Sequence, residues 1–290
     1  MNAGELITKY KQGFRDFSTA DLSRENFGGA SLSEIILLQA CLVEVNFSGA
    51  NLNEANLTRA DLTAANFFRA NLSQVLLVAA NLQGATMVKA DLQGAKMGQA
   101  NLRETDLTGA NLNSADLNGA DLSGANLSGT FLLDANLEGA NLTEAFLKGA
   151  NLDGARLQGA CLRGANLEGA SFSDAKLNHG DLTEADAKNA NFYGANLTEA
   201  LLIRVELAGA NLSHAILSHA NLQDADLNGA FLTEAILGQA MLDGANLTKT
   251  NFYKASLNGA NLLRANLSGA NLNGTDLTEA SLYAVESASD

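Results

Sequence analysis

Ala20-Asp21-Leu22-Ser23-Arg24, Ala50-Asn51-Leu52-Asn53-Glu54 and Ala120-Asp121-Leu122-Ser123-Gly124 are three copies of one phrase, in register with each other and with nearly everything between them. Written in fives from Ala20, the chain runs to Leu282 in 53 units without an insertion or deletion. Alanine holds the first column in 43 units and leucine the third in 44. The third-column exceptions are Phe27, Phe47, Phe67, Phe172, Phe192, Phe252, Met87, Met97 and Ala187. Of the 27 glycines, 21 stand in the fifth column. A period of five fits neither the helix nor the strand. Two apolar columns two residues apart point the same way over a short extended stretch. A residue that tolerates positive φ then turns the chain. Each unit reads as a short edge followed by a corner. The chain has no proline, so the backbone donors that a stacked, hydrogen-bonded coil requires are intact.

This phrase resembles the A-(N/D)-L-x-x motif of the pentapeptide-repeat family, over roughly residues 15–284. The resemblance implies an all-β solenoid, a right-handed quadrilateral β-helix with four units per coil and Leu, Phe and Ala facing inward. The aromatic spacing supports a 20-residue coil independently: Phe27, Phe47 and Phe67 recur every 20 residues, with Met87 next, and Phe172 and Phe192 repeat the interval on the neighbouring face. About 13 coils at ~4.8 Å each make a rod of roughly 60 Å. In the coil 180–199 undersized Ala187 adjoins oversized Phe192, a volume compensation that close packing favours, so Ala187→Leu is expected to overpack the coil. Stability is a nearest-neighbour property of such a stack, and its ends need caps.

Residues 1–19 read as a capping helix and linker, 20–284 as the β-helix and 285–290 as a tail. Asn2 followed by Glu5 is a capping-box variant, Leu6, Ile7, Tyr10 and Phe14 lie roughly on one face, and Gly13 stops the helix, which places an amphipathic helix over residues 3–12. Lys9, Lys11 and Arg15 give this end a sign opposite to that of the body. Glu25 replaces alanine in an inward column of the first coil, so its carboxylate is expected to bond the helix or its linker. At the other end Tyr283 and Val285 are expected to fold over the last coil, or the last coil pairs with a second copy. The chain is therefore read as a monomer or an end-to-end dimer through the C-terminal coil.

Composition excludes several classes. With 290 residues, 47% apolar and only 17% charged, the chain is too hydrophobic to be disordered, and its leucines and alanines are interrupted too evenly for a membrane span. Met1-Asn2-Ala3-Gly4-Glu5 has neither the basic region nor the apolar core of a signal peptide, which points to the cytoplasm. A net charge of −14 disfavours direct contact with nucleic-acid phosphates or anionic lipid. Cys41 and Cys161 lie six coils apart on one face, roughly 29 Å by strand spacing, so they form no intramolecular disulfide. His179, His214 and His219 do not converge with other ligands, the glycines belong to corners rather than to a phosphate loop, and no nucleophile–base pair can be named. The reading is of a protein that is not an enzyme and takes no cofactor or metal.

Two surface features remain. One face, centred on Leu32, carries Glu34, Glu54, Asp91, Asp134, Asp153, Asp174 and Glu234 against a single Lys254. Apolar side chains also replace Asn or Asp at Leu201, Ile216, Phe231, Ile236 and Met241, with Ile203 nearby; a smaller group is Ile36, Leu38, Cys41 and Val43. Three functions are consistent with this. The first is a non-catalytic, regulatory interaction scaffold for an unknown protein partner, a role the resemblance implies for some cyanobacterial members. The second is an acidic DNA mimic that binds DNA gyrase or topoisomerase, as the resemblance implies for quinolone-resistance members; the unbroken frame and the short polar C-terminus count against it. The third is a passive structural spacer.

Overall fold

The computed structural model describes residues 1–282. It begins with one helix, α1 (Ala3–Lys11). Asn2 caps it: the Asn2 side chain accepts from the Glu5 amide at 2.9 Å, and the Glu5 carboxylate accepts from the Asn2 amide at 3.3 Å. The expected capping box is present. Gln12 is the C-cap, and Gly13 follows at φ 99°, a conformation that ends the helix. Leu6, on the inner side of α1, is fully buried, Ile7 and Tyr10 pack against the same core, and the Tyr10 hydroxyl donates to the Ser33 carbonyl at 2.8 Å. Glu25 meets its expected partner, accepting the Ala3 amide at 2.8 Å.

The rest is a right-handed quadrilateral β-helix. Parallel bridges join each second-column residue to the one 20 positions later, from Asp16↔Ile36 to Asn261↔Ser281. Coil geometry thus starts one unit before residue 20, and Phe17 is already buried. Each coil bonds the next in three ways, as Leu22, Arg24 and Cys41 illustrate. The third-column amide Leu22 N donates to Cys41 O, the fifth-column amide Arg24 N to Val43 O, and the second-column amide Cys41 N back to Ala20 O, at 2.8 to 2.9 Å.

The corner is stricter than the glycine column suggests. Every fifth-column residue from Thr19 to Glu279 has positive φ, and 32 of them are not glycine. A left-handed non-glycine residue is strained by roughly 1–2 kcal/mol, and through residue 259 the cross-coil bond from the fifth-column amide offsets this. The second column is also more than an outward polar position. Its Asn or Asp Oδ1 accepts the amide two residues on, as at Asp21–Ser23 and Asn46–Ser48, at 3.1 and 3.0 Å. Asn side chains also ladder between coils, Asn46 Nδ2 donating to Asn26 Oδ1 at 2.8 Å. Only a side chain as short as Asn or Asp closes this turn, which explains the column's composition.

First- and third-column side chains fill the interior. The Phe27, Phe47 and Phe67 rings stack at 5.2 and 5.5 Å, and Phe172 on Phe192 at 4.9 Å. Ala187 and Phe192 are both fully buried. Threonines in the alanine column keep their hydroxyls bonded, Thr105 to Leu82 O and Thr250 to Leu227 O, at 3.2 and 2.8 Å. Among the described residues burial falls off toward residue 282: Leu262 is buried, Leu267, Leu272 and Leu277 only partly, and Leu282 is exposed. The expected packing of Tyr283 and Val285 lies outside the described residues.

Candidate protein-interaction surface

Four faces run the length of the rod, and each is named here by its first inward residue: Leu22, Phe27, Leu32 and Leu37. A side chain's face and height follow from its number, because 20 residues return the chain to the same face one coil on.

The bridges bring together only part of the apolar group. Ile216 and Ile236 are paired neighbours on the Leu37 face. Leu201 and Met241 share the Leu22 face around the corner, with Asn221 bridged between them. Phe231 stands on the Leu32 face, bridged to Asn211 and Asn251. Leu201, Phe231, Ile236 and Met241 are exposed, whereas Ile203 and Ile216 are half-buried. Ile36, Leu38, Cys41 and Val43 are all half-buried. Each apolar residue in the second column gives up the turn-closing bond that Asn or Asp makes, a loss of about 1 kcal/mol. Phe131 and Phe146 make the same exchange and are half exposed, 53% and 51%. Sequence reasoning passed over them, although the signal, an aromatic residue in the Asn/Asp column, is the same.

The carboxylates divide by face. On the Leu22 face, Arg24–Glu44, Arg103–Asp121, Arg163–Asp181, Arg204–Glu184 and Arg264–Asp243 pair between coils. The Arg264 guanidinium holds the Asp243 carboxyl below its usual range. The Phe27 face pairs Lys148 with Glu168 and Lys188 with Glu206. The Leu37 face pairs Arg156 with Glu138 and sets His179 beside Glu199 at 3.3 Å. The Leu32 face has no lysine or arginine pair among the described residues; its nearest equivalent is His214 Nδ1, 3.6 Å from Glu234.

Within the acidic stripe, two members are used internally. Asp91 accepts Gln93 N and Asn111 Nδ2, and Asp153 accepts Ser171 Oγ at 2.5 Å and Ser173 N at 3.0 Å. Glu34, Glu54, Asp134 and Asp174 are exposed. The last two lie over Gly154 and Gly194 of the next coil, in space a Cβ would need.

Among the described residues no group of His, Cys, Asp and Glu could hold a metal ion, and no helix is long and apolar enough to cross a membrane. Both cysteines are free and half-buried, Cys41 Sγ lying 3.1 Å from Ser23 Oγ and Cys161 Sγ 3.3 Å from Thr143 Oγ1. The surface is not featureless. An open depression of about 340 Å³ lies between Glu104, Asp106, Gly124 and Phe146. It holds the carboxylates of Glu104 and Asp106, the hydroxyls of Thr105 and Ser128, and the Phe146 ring as an aromatic wall.

A sequence profile described as pentapeptide repeats matches eight times, at residues 40–77, 65–103, 90–129, 132–169, 165–202, 200–239, 220–259 and 245–283. No curated protein matches the chain. Among solved structures, HetL is 29% identical over 97% of each chain, with a TM-score of 0.24. HetL is a pentapeptide repeat protein involved in heterocyst differentiation regulation in the cyanobacterium Nostoc. A pentapeptide repeat protein of the Arabidopsis thaliana thylakoid lumen is 40% identical over 29% of this chain and 59% of its own, with a TM-score of 0.29. QnrB1, a plasmid-mediated fluoroquinolone resistance protein, is 19% identical over 66% of this chain and 91% of its own, with a TM-score of 0.33.

Proposed function

The chain belongs to the pentapeptide-repeat family, in general a non-enzymatic scaffold, and from that premise we propose that it is a non-catalytic interaction scaffold with a regulatory role. Its partner is a protein, docked on the outer faces of the rod. One observation carries this reading: large apolar side chains occupy second-column positions where Asn or Asp would close the turn, and Leu201, Phe231, Ile236 and Met241 are exposed there. Each gives up a hydrogen bond and shows apolar area to water, a combination that neither solubility nor coil packing favours. The acidic charge argues against direct binding to nucleic acid or to an anionic membrane. We place the protein in the cytoplasm, as a monomer or as an end-to-end dimer through its C-terminal coil.

The test is Ile216→Asn/Ile236→Asn, which restores the family pattern on one patch. Wild type is expected to capture a defined protein from host lysate, and the variant, with unchanged circular dichroism, to lose it. Capture unaltered by the variant would leave these residues a stacking variation. Inhibition of gyrase supercoiling by wild type would replace the scaffold by duplex mimicry. Absence of any partner would leave a passive spacer.

A further inference from the structure

Among the described residues, three faces of the rod neutralise carboxylates with lysine, arginine or both, and the Leu32 face does not. The same face concentrates the exposed rings. Apart from Phe14 near the N-terminus, the exposed aromatic side chains among the described residues are Phe68, Phe131, Phe146, Tyr193, Phe231 and Tyr253, and all but Phe68 and Phe146 stand on it, with exposed Leu133 beside Phe131. Carboxylates lie between the rings: Asp134 in the unit of Phe131, Asp174 one coil before Tyr193, and Glu234 in the unit of Phe231. Two rings already engage a basic group from their own face. Lys254 Nζ sits 5.1 Å from the Tyr253 ring centroid, and the His214 ring meets Tyr193 edge-on at 5.1 Å.

We infer that the Leu32 face between Phe131 and Tyr253 is the docking surface for an extended cationic segment of a partner protein, in which Arg or Lys alternates with apolar side chains. The inference deepens the scaffold reading but uses a different face from the Ile216 and Ile236 patch. Charge complementarity selects the sign of the partner, since among the described residues no lysine, arginine or histidine pairs with the carboxylates of Asp134 and Asp174. The rings select its character, because guanidinium and ammonium groups bind aromatic faces and apolar side chains fill the gaps between them. A partner built to hold a duplex would need only charge, and against it Phe131, Leu133 and Phe231 would be idle. Phe131 and Tyr253 are six coils apart, roughly 29 Å, a span of about nine extended residues.

The probes are labelled twelve-residue peptides measured by fluorescence anisotropy: Arg alternating with Leu, Arg with Ser, and Glu with Leu. The Arg/Leu peptide is expected to bind, the Arg/Ser peptide about tenfold more weakly, and the Glu/Leu peptide not at all. Asp134→Asn/Asp174→Asn/Glu234→Gln should weaken the Arg/Leu peptide about tenfold or more, and Phe131→Asn/Phe231→Asn about fivefold. The same charge removed from the opposite face, Glu104→Gln/Glu144→Gln/Asp224→Asn, should change affinity by less than about twofold in 0.15 M salt. Equal losses from the two charge variants would overturn the inference in favour of a diffuse polyanion. No loss from the phenylalanine variant, or equal binding of Arg/Ser and Arg/Leu peptides, would overturn it in favour of charge alone. Failure here is separable from failure of the scaffold reading. Lysate capture that depends on Ile216 and Ile236, with no Arg/Leu binding, sinks only this inference; Arg/Leu binding with capture indifferent to those isoleucines sinks only their role.

Discussion

Among the described residues, the two ends of the rod are built from the same units and covered to different degrees. At the N-terminal end the helix lays Leu6 over the first coil, Tyr10 ties it to Ser33, and Glu25 takes up the Ala3 amide. At the C-terminal end, among the described residues, the last third-column amide to find the next coil is that of Leu262, which reaches Ser281 O. Leu267, Leu272 and Leu277 have the inward columns of their predecessors but only part of their burial. A column residue is therefore not stable by its own identity. The coil stacked on it completes both its hydrogen bonds and its contacts, as a one-dimensional nearest-neighbour system requires.

The strongest test of that contrast removes one leucine from each end. Leu6→Ala takes a fully buried side chain from the cap and should cost about 2–5 kcal/mol, read as lost amide-exchange protection in the first coils. Leu272→Ala, at a half-covered site, should cost less than about 1 kcal/mol in the last coils. Equal losses would mean that the last coil is as well closed as the first.

Much of this architecture is legible in the sequence because each column repeats tens of times and tolerates few residue types. Coil length follows from Phe27, Phe47 and Phe67, and the cap from Asn2, Glu5 and Leu6. Two features are not read so easily. The second column reads as outward and polar, whereas its Asn and Asp close the turns; that role shows only when Oδ1 is seen facing the amide two residues on. The exposed face was half visible. Its seven carboxylates could be assigned by number, but the pairing on the other faces depends on side chains 18 to 21 residues apart reaching each other, as Arg156 reaches Glu138 and Arg264 reaches Asp243. Only that pairing makes the unanswered charge of the Leu32 face informative.

An intermediate effect is expected from the middle of the rod, where neither end can relax the packing. Ala187 is flanked by complete coils and stands in the same coil as Phe192, whose ring is stacked on Phe172. Ala187→Leu should destabilise by roughly 1–3 kcal/mol, and adding Phe192→Leu should recover part of the loss. A single variant that melts at or above wild type would show that the coil has unused room, and that small and large inward residues are not compensating each other.

The smallest effect should be one that the two ends share although only the first is capped by a helix among the described residues. Asp21 near the N-terminus and Asp276 near the C-terminus both have carboxyls held below their usual range, first by a hydroxyl, from Ser23 and Thr278 respectively, and then by the amide of the same residue. A depressed carboxyl contributes stability above its unfolded pKa, near 3.9, and loses it as the pH falls through the lower folded value. Both ends should therefore be indifferent to pH between about 5 and 8, and both should loosen below about pH 4. Asparagine offers the same Oδ1 acceptor without a titrating proton, as Asn46 shows at Ser48. Asp21→Asn and Asp276→Asn should then be close to neutral at pH 7, and each should reduce the acid loosening of its own end when amide exchange is followed at pH 3. If Asp276→Asn instead left the C-terminal coil as acid-sensitive as before, while Asp21→Asn protected the first, the turns would not be equivalent. The difference between the ends would then extend from their cover into the repeat itself.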